Sequence, residues 1–182
     1  MNTGQTLLVV CAMVLLATTV LTVNGNNLNQ GVILRQTEIG MYAVGLATSY
    51  FEKASNLDFD NATVGNNQIF ASSELSTVLG IEGGEIANKD STFNDFDDYN
   101  GFDRIDSVSQ VDLFHVVATV SYLAKTAPYA KVAAPYTSAT TSFYKQMDIM
   151  VIPTVSRQGI TGGAGTSGVD TIKLSYIYSY YQ

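Results

Sequence analysis

Residues 5–24 read QTLLVVCAMVLLATTVLTVN. The seventeen residues from Leu7 to Val23 carry no charge, and only Thr18, Thr19 and Thr22 interrupt the apolar run. The first ionised side chain in the chain is Arg35, twelve residues beyond the run. Twenty such residues form a helix of roughly 30 Å, enough to span a bilayer core. A helix that is apolar all round must be buried on every side, by lipid or by other apolar helices. Leu7, Leu8, Val9, Val10, Met13, Val14, Leu15, Leu16, Val20 and Leu21 are therefore the candidate contact residues of a membrane span or of a bundle between copies of the chain. A cleaved secretory signal fits less well. Met1–Gly4 holds no Lys or Arg, and Val23-Asn24-Gly25 is a poor small-x-small site.

A chain of 182 residues with 46% hydrophobic content is long enough for one core plus an appendage, and too apolar for disorder. Its net charge of −7 argues against nucleic-acid binding, which needs a basic face. Charged residues make up only 14%, against about 25% in an average soluble protein. Eleven Tyr and no Trp, with abundant Ser, Thr and Gly, suit a surface that meets other protein. The single cysteine, Cys11, excludes an intrachain disulfide and reads as a small buried apolar side chain.

Beyond the apolar run, NGNNLNQG (24–31) is rich in poor helix formers and predicts a break over 25–31. Helical periodicity resumes at Val32, with Val32, Ile39, Ala43, Leu46 and Tyr50 on one stripe, and ends near Ser55-Asn56. Gly40, Ala43, Gly45 and Ala47 allow another element to approach closely.

Residues 56–106 read as loop, rich in Asp, Asn and Gly. Asn61-Ala62-Thr63 is an N-glycosylation sequon. Asp95, Asp97 and Asp98 invite a calcium reading, because carboxylates at short spacing are what a hard cation wants. An EF-hand register fails: with Gly101 as the turn glycine, the first ligand would be Phe96. The alternatives are a solvated acidic turn, or a loop that meets Lys or Arg of a neighbouring copy. Lys89, Arg104, Lys125, Lys131 and Arg157 are the candidate partners.

The last third alternates with period two. Phe114, Val116, Ala118, Val120 and Tyr122 share one face. So do Phe143, Met147, Ile149, Val151 and Val155, interrupted by Lys145 and ended or edged by Pro153. Ile172, Leu174, Tyr176, Tyr178 and Tyr180 form a third such face. Three antiparallel strands under the second helical segment predict a two-layer α+β head over residues 32–182.

No catalytic constellation emerges. His115 is the only histidine and lies on a strand, distant in sequence from Cys11. GITGGAGTSG (159–168) is followed by no helix pattern that could cradle phosphate. An enzyme is not expected.

A short polar leader ending in Gly4, followed at once by QTLLVV, resembles the N-terminus of type IV pilins and pseudopilins. DDYNGF (97–102) is similar to a recurrent loop of pilin-like proteins. The resemblance implies a ladle-like subunit, with residues 1–4 as leader and 5–24 as filament-core helix. It implies cleavage by a prepilin peptidase between Gly4 and Gln5, residence in the membrane before assembly, handling by pilus machinery, and polymerisation with copies of itself into an extracellular filament. It also implies an alternative, a minor pilin or pseudopilin of a secretion or DNA-uptake machine; the apolar run by itself leaves another, a single-pass membrane-anchored surface domain with a binding role. The chain departs from the family at Val9, where a glutamate usually stands, and in a leader without Lys or Arg.

Overall fold

The computed structural model describes residues 3–108, 112–154 and 171–180. Met1, Asn2, Val155, Arg157 and the glycine-rich connection 159–168 lie outside the described residues. The fold is α+β. Helix α1 spans Thr3–Ser55, and the strands are β1 Phe102–Val108, β2 Asp112–Tyr122, β3 Tyr144–Pro153 and β4 Ile172–Ser179. They form one antiparallel meander in the order β1-β2-β3-β4. The chain divides into two compact units, Met1–Ile39 and Gly40–Gln182, with α1 contributing to both.

The helix runs unbroken through 25–31, where the sequence predicts a break. The physical reason lies in the size of the propensity term. Gly costs about 1 kcal/mol relative to Ala in a helix interior, a penalty but no steric block. Helix on both sides already carries the nucleation cost, so propagation across the weak segment prevails.

In the second unit the C-terminal part of α1 packs on the sheet. Ala43, Ala47, Tyr50 and Ala54 are buried, at steps of four, three and four. The expected stripe is shifted slightly: Leu46 is half-buried beside buried Ala47, and Val32 is exposed. Three alanines in the seam let the backbone approach, while Tyr50 supplies the bulk. Its ring meets Phe102 at 5.2 Å and Tyr99 at 6.2 Å, and Phe93 joins them at 5.0 Å from Tyr99. Such tilted and edge-to-face pairs each add about 0.5–1.5 kcal/mol beyond area burial.

The strand faces follow the alternation of the sequence. Phe114, Val116, Ala118, Val120 and Tyr122 of β2 are buried, as are Met147, Ile149 and Val151 of β3. β3 ends at Pro153. β1 is a fourth strand inside the stretch read as loop. Its core-facing positions are Phe102, Arg104, Asp106 and Val108, while Ile105 points outward at 62% exposure. Charged residues face inward because they are paired there. Arg104 grips Asp106 through Nε (2.8 Å) and Nη2 (3.0 Å), donates from Nη1 to Asp90 (2.8 Å), and also meets the Tyr50 hydroxyl.

The rest of 56–101 is also more ordered than a loop reading implies. Four short 3₁₀ turns, Asn61–Thr63, Ser72–Glu74, Asp90–Thr92 and Phe96–Tyr99, bring Phe59, Ile69, Leu75, Leu79, Phe93, Phe96 and Tyr99 into the core.

Candidate functional site

Two regions carry features that the fold itself does not require. The first is the N-terminal part of α1. Every side chain from Thr3 to Leu34 is exposed in the single chain. Leu7, Leu15 and Leu21 are about 70% exposed, at 70%, 67% and 71%. Thr18 and Thr19 donate their hydroxyls to the Leu15 carbonyl, and Thr22 donates to Thr18 (2.8–2.9 Å). The three polar residues therefore spend their donors on their own helix, and the outward surface stays apolar. This helix is long and apolar enough to cross a membrane. Gly4 and Gln5 lie in its first turns. Cys11, expected to be a buried apolar side chain, is exposed on the same surface.

The second region is acidic and lies in the second unit. Asp95, Asp97 and Asp98 are 0%, 0% and 1% exposed, so the solvated-turn reading is corrected. The reason is local. Asp95 caps the turn Phe96–Tyr99, its Oδ1 accepting from the Asp97 amide at 2.9 Å. Asp98 Oδ2 accepts from the amides of Asn94 (2.8 Å) and Asp95 (3.0 Å). Phe96 and Tyr99, fully buried, pull the turn into the core, and the carboxylates follow.

Asp97 reaches a cation in its own chain. Lys145, the residue that interrupts the apolar face of β3, is 0% exposed. Its Nζ bonds Asp97 Oδ1, Asp60 Oδ2 (2.7 Å) and the Phe59 carbonyl (2.7 Å). The Phe59 and Tyr122 rings stand 4.6 and 5.2 Å from it. Of the cations nominated from sequence, Arg104 pairs instead with Asp90 and Asp106, and Lys131 with Asp148. Asp60 also accepts from the amides of Ala62 and Ser76, the Ser76 hydroxyl and the Tyr122 hydroxyl. Burial alone would raise its pKa, but Lys145 and these donors outweigh burial and hold it below the usual range. Asp97 has fewer donors, and burial dominates to raise it despite Lys145.

Two glutamates absent from the sequence reading complete the cluster. Side-chain oxygens of Glu82, Asp95 and Asp97 lie within 4.8 Å of one another, and so do those of Glu82, Glu85 and Asp98. Burial, together with the charges of its acidic neighbours, pushes Glu82 up to about 7. Burial and the charges of Asp97 and Asp98 push Asp95 up to about 9. Burial is also the largest cause for Asp98, at about 6, with the Glu85 carboxyl facing it. Lys145 had a signal in the sequence, a lone charge in an apolar face. Glu82 and Glu85, in IEGGE, had none.

Asn61 of the sequon is exposed, while Thr63 is buried and its hydroxyl closes a capping box with Asp60. His115 Nε2 meets Asp103 Oδ1 at 2.6 Å on the outer sheet face. No family model matches the chain, and no curated protein or solved structure shows significant similarity to it.

Proposed function

We propose that this chain is a structural subunit that polymerises through its N-terminal apolar helix into a pilus-like filament on the cell surface, after residence in the membrane. The observation that carries the reading is the exposed apolar surface of Leu7–Val23 on a continuous helix. Such a surface is stable in water only when covered, and covering it regains about 25 cal/mol per Å². The leader-like Gly4-Gln5 junction and the α+β unit that follows support the same reading by their resemblance to pilin-like subunits.

Leu15→Asp tests it. A charge in the middle of the apolar run costs about 2.5–3.5 kcal/mol in a membrane and comparably disfavours a dry helical bundle. Cells making the variant are expected to shed no filaments in sheared surface material viewed by electron microscopy. Normal filament yield from Leu15→Asp would overturn the reading. Wild-type protein that stays in detergent-extracted membrane without filaments would favour an anchored surface domain instead. Mass spectrometry of the surface material addresses processing: the resemblance predicts a mature chain beginning at Gln5.

A further inference from the structure

Four carboxylate oxygens in the second unit are buried without a hydrogen-bond partner: Glu82 Oε2, Glu85 Oε1, Asp95 Oδ2 and Asp98 Oδ1. Asp95 and Asp98 are 0% and 1% exposed, so water does not serve them from the surface. Three of the four belong to carboxylates whose other oxygen is pinned by backbone. Asp95 Oδ1 takes the Asp97 amide, Asp98 Oδ2 the amides of Asn94 and Asp95, and Glu85 Oε2 the Glu82 amide at 2.8 Å. Each side chain is thus fixed by one oxygen while the other is left over. Leaving such groups unsatisfied is unfavourable, and native interiors rarely tolerate it.

We propose that residues 82–98 form a divalent-cation site, calcium by size, centred on Glu82 and completed by the free oxygens of Glu85, Asp95 and Asp98. Glu82 belongs to both carboxylate triads, and within each the oxygens lie no more than 4.8 Å apart. Two oxygens on opposite sides of one calcium ion are separated by about twice 2.3–2.6 Å, the scale of these triads. Magnesium needs a tighter octahedron at about 2.0–2.1 Å and keeps its waters, which a buried carboxylate cage does not accommodate. Zinc prefers nitrogen and sulfur, and the cluster holds neither His nor Cys.

Asp97 enters the first triad but has both oxygens engaged, Oδ1 by Lys145 and Oδ2 by the Gly80 amide at 3.3 Å. It joins the ion to the Lys145 network rather than serving as a primary ligand. No ion pair among the described residues reaches Glu82, Glu85, Asp95 or Asp98. The Asp98 carboxyl faces the Glu85 carboxyl. Two carboxylates adopt that arrangement only with a proton or a cation between them. The pattern differs from the calcium reading of the sequence, in which Asp95, Asp97 and Asp98 were the ligands.

The inference is independent of assembly and is tested on the full-length chain in detergent micelles. The protein is stripped with EDTA, then titrated with calcium chloride by calorimetry and followed by thermal unfolding. Magnesium chloride and sodium chloride of equal ionic strength run in parallel. Saturating calcium is expected to raise Tm by about 5 °C or more, with magnesium well below that and sodium near zero. Glu82→Gln and Glu85→Gln, at half-buried positions, should fold and weaken calcium binding about tenfold or more. The proposal is overturned if folded protein shows no heat of binding up to about 10 mM calcium, above the range of weak extracellular modules. Calcium affinity unchanged in both Gln variants overturns it equally. So does a rise in Tm that sodium or magnesium reproduces, since ionic strength or a less selective site would then explain it.

Discussion

Asp60 and Asp95 are equally buried, both at 0% exposure, and both cap a 3₁₀ turn. Their environments have opposite consequences. Asp60 is met by Lys145, two amides and two hydroxyls, and it stays ionised below the usual carboxylate range. Asp95 is met by one amide and by other carboxylates, and it is pushed up to about 9. Burial is therefore not what separates them. The number and charge of the donors decides whether a buried carboxylate supports the fold or opposes it until something else arrives.

The sharpest way to break the contrast is to remove the cation from the well-served side. Lys145→Met keeps a long apolar stem in β3 between Phe59 and Tyr122 but leaves Asp60 and Asp97 buried without a counter-charge. The expected loss is about 3–5 kcal/mol, large against a total stability of about 5–15 kcal/mol. Urea unfolding with an unchanged m-value would register it as a lower midpoint. Adding Asp60→Asn and Asp97→Asn to Lys145→Met should recover part of the loss, because no uncompensated charge remains.

The converse substitution acts on the poorly served side and should change sign with conditions. Asn is a good N-cap, so Asp95→Asn keeps the acceptor for the Asp97 amide and removes a carboxyl that must take up a proton or a cation to be buried there. In EDTA the variant is expected to be more stable than the parent, by about 1 kcal/mol. In saturating calcium it should be less stable, because a ligand is gone. Equal stability of the two proteins in both conditions would show that the Asp95 carboxyl is neither disfavoured by its neighbours nor a ligand of the ion.

The two groups of carboxylates also predict a pH profile with two opposing limbs. Asp60, Asp90 and Asp106 have lowered folded-state values: burial raises each, but Lys145, Lys53 or Arg104 outweighs it. Their contribution is present above the ordinary carboxylate value of about 4 and is lost as pH falls below it. Glu82, Asp95 and Asp98, raised to about 7, 9 and 6, bind protons more tightly folded than unfolded. Their contribution is present at about pH 4 and is lost as pH rises through those values. In EDTA, stability should therefore fall from about pH 5 towards pH 9. Calcium should flatten that alkaline limb and leave the acid limb in place. A profile in EDTA that stays level from pH 5 to pH 9 would mean that the cluster is not charged in the way its geometry implies.

How much of this was legible follows from the same physics. The alternation of β2, β3 and β4 could be read directly, because their inward residues are apolar and alternate strictly. β1 could not, since Arg104 and Asp106 take inward positions and Ile105 an outward one. Only Tyr50 and Asp90, distant in sequence, make that arrangement favourable. The apolar run of α1 was plain, but its continuity through Gly25 and Gly31 was not, because propensity disfavours helix there without forbidding it. The acidic stretch was visible as composition. Its burial was hidden in Phe96 and Tyr99, and its partners came from Glu82, Glu85 and Lys145, residues that no spacing rule links to it.

The smallest effect expected comes from a pair that looks like Lys145–Asp60 on paper. Lys131 Nζ bonds Asp148 on the outer face of the sheet, and their side chains are 48% and 29% exposed. Water already solvates both ions well, so little desolvation is recovered when they part. Holding two long side chains in one geometry also sacrifices rotamer freedom, and salt at 0.1 M screens exposed charges over about 10 Å. Asp148 keeps other donors in Gln146 Nε2 (2.7 Å) and Ser175 Oγ (2.6 Å), so it is not orphaned when Lys131 is lost. Lys131→Ala should therefore lower stability by no more than about 0.5 kcal/mol, and the difference should shrink further in 1 M salt. Matched urea curves at low and high salt measure both numbers. A loss that approached that of Lys145→Met would mean that exposure is not what distinguishes the two lysines.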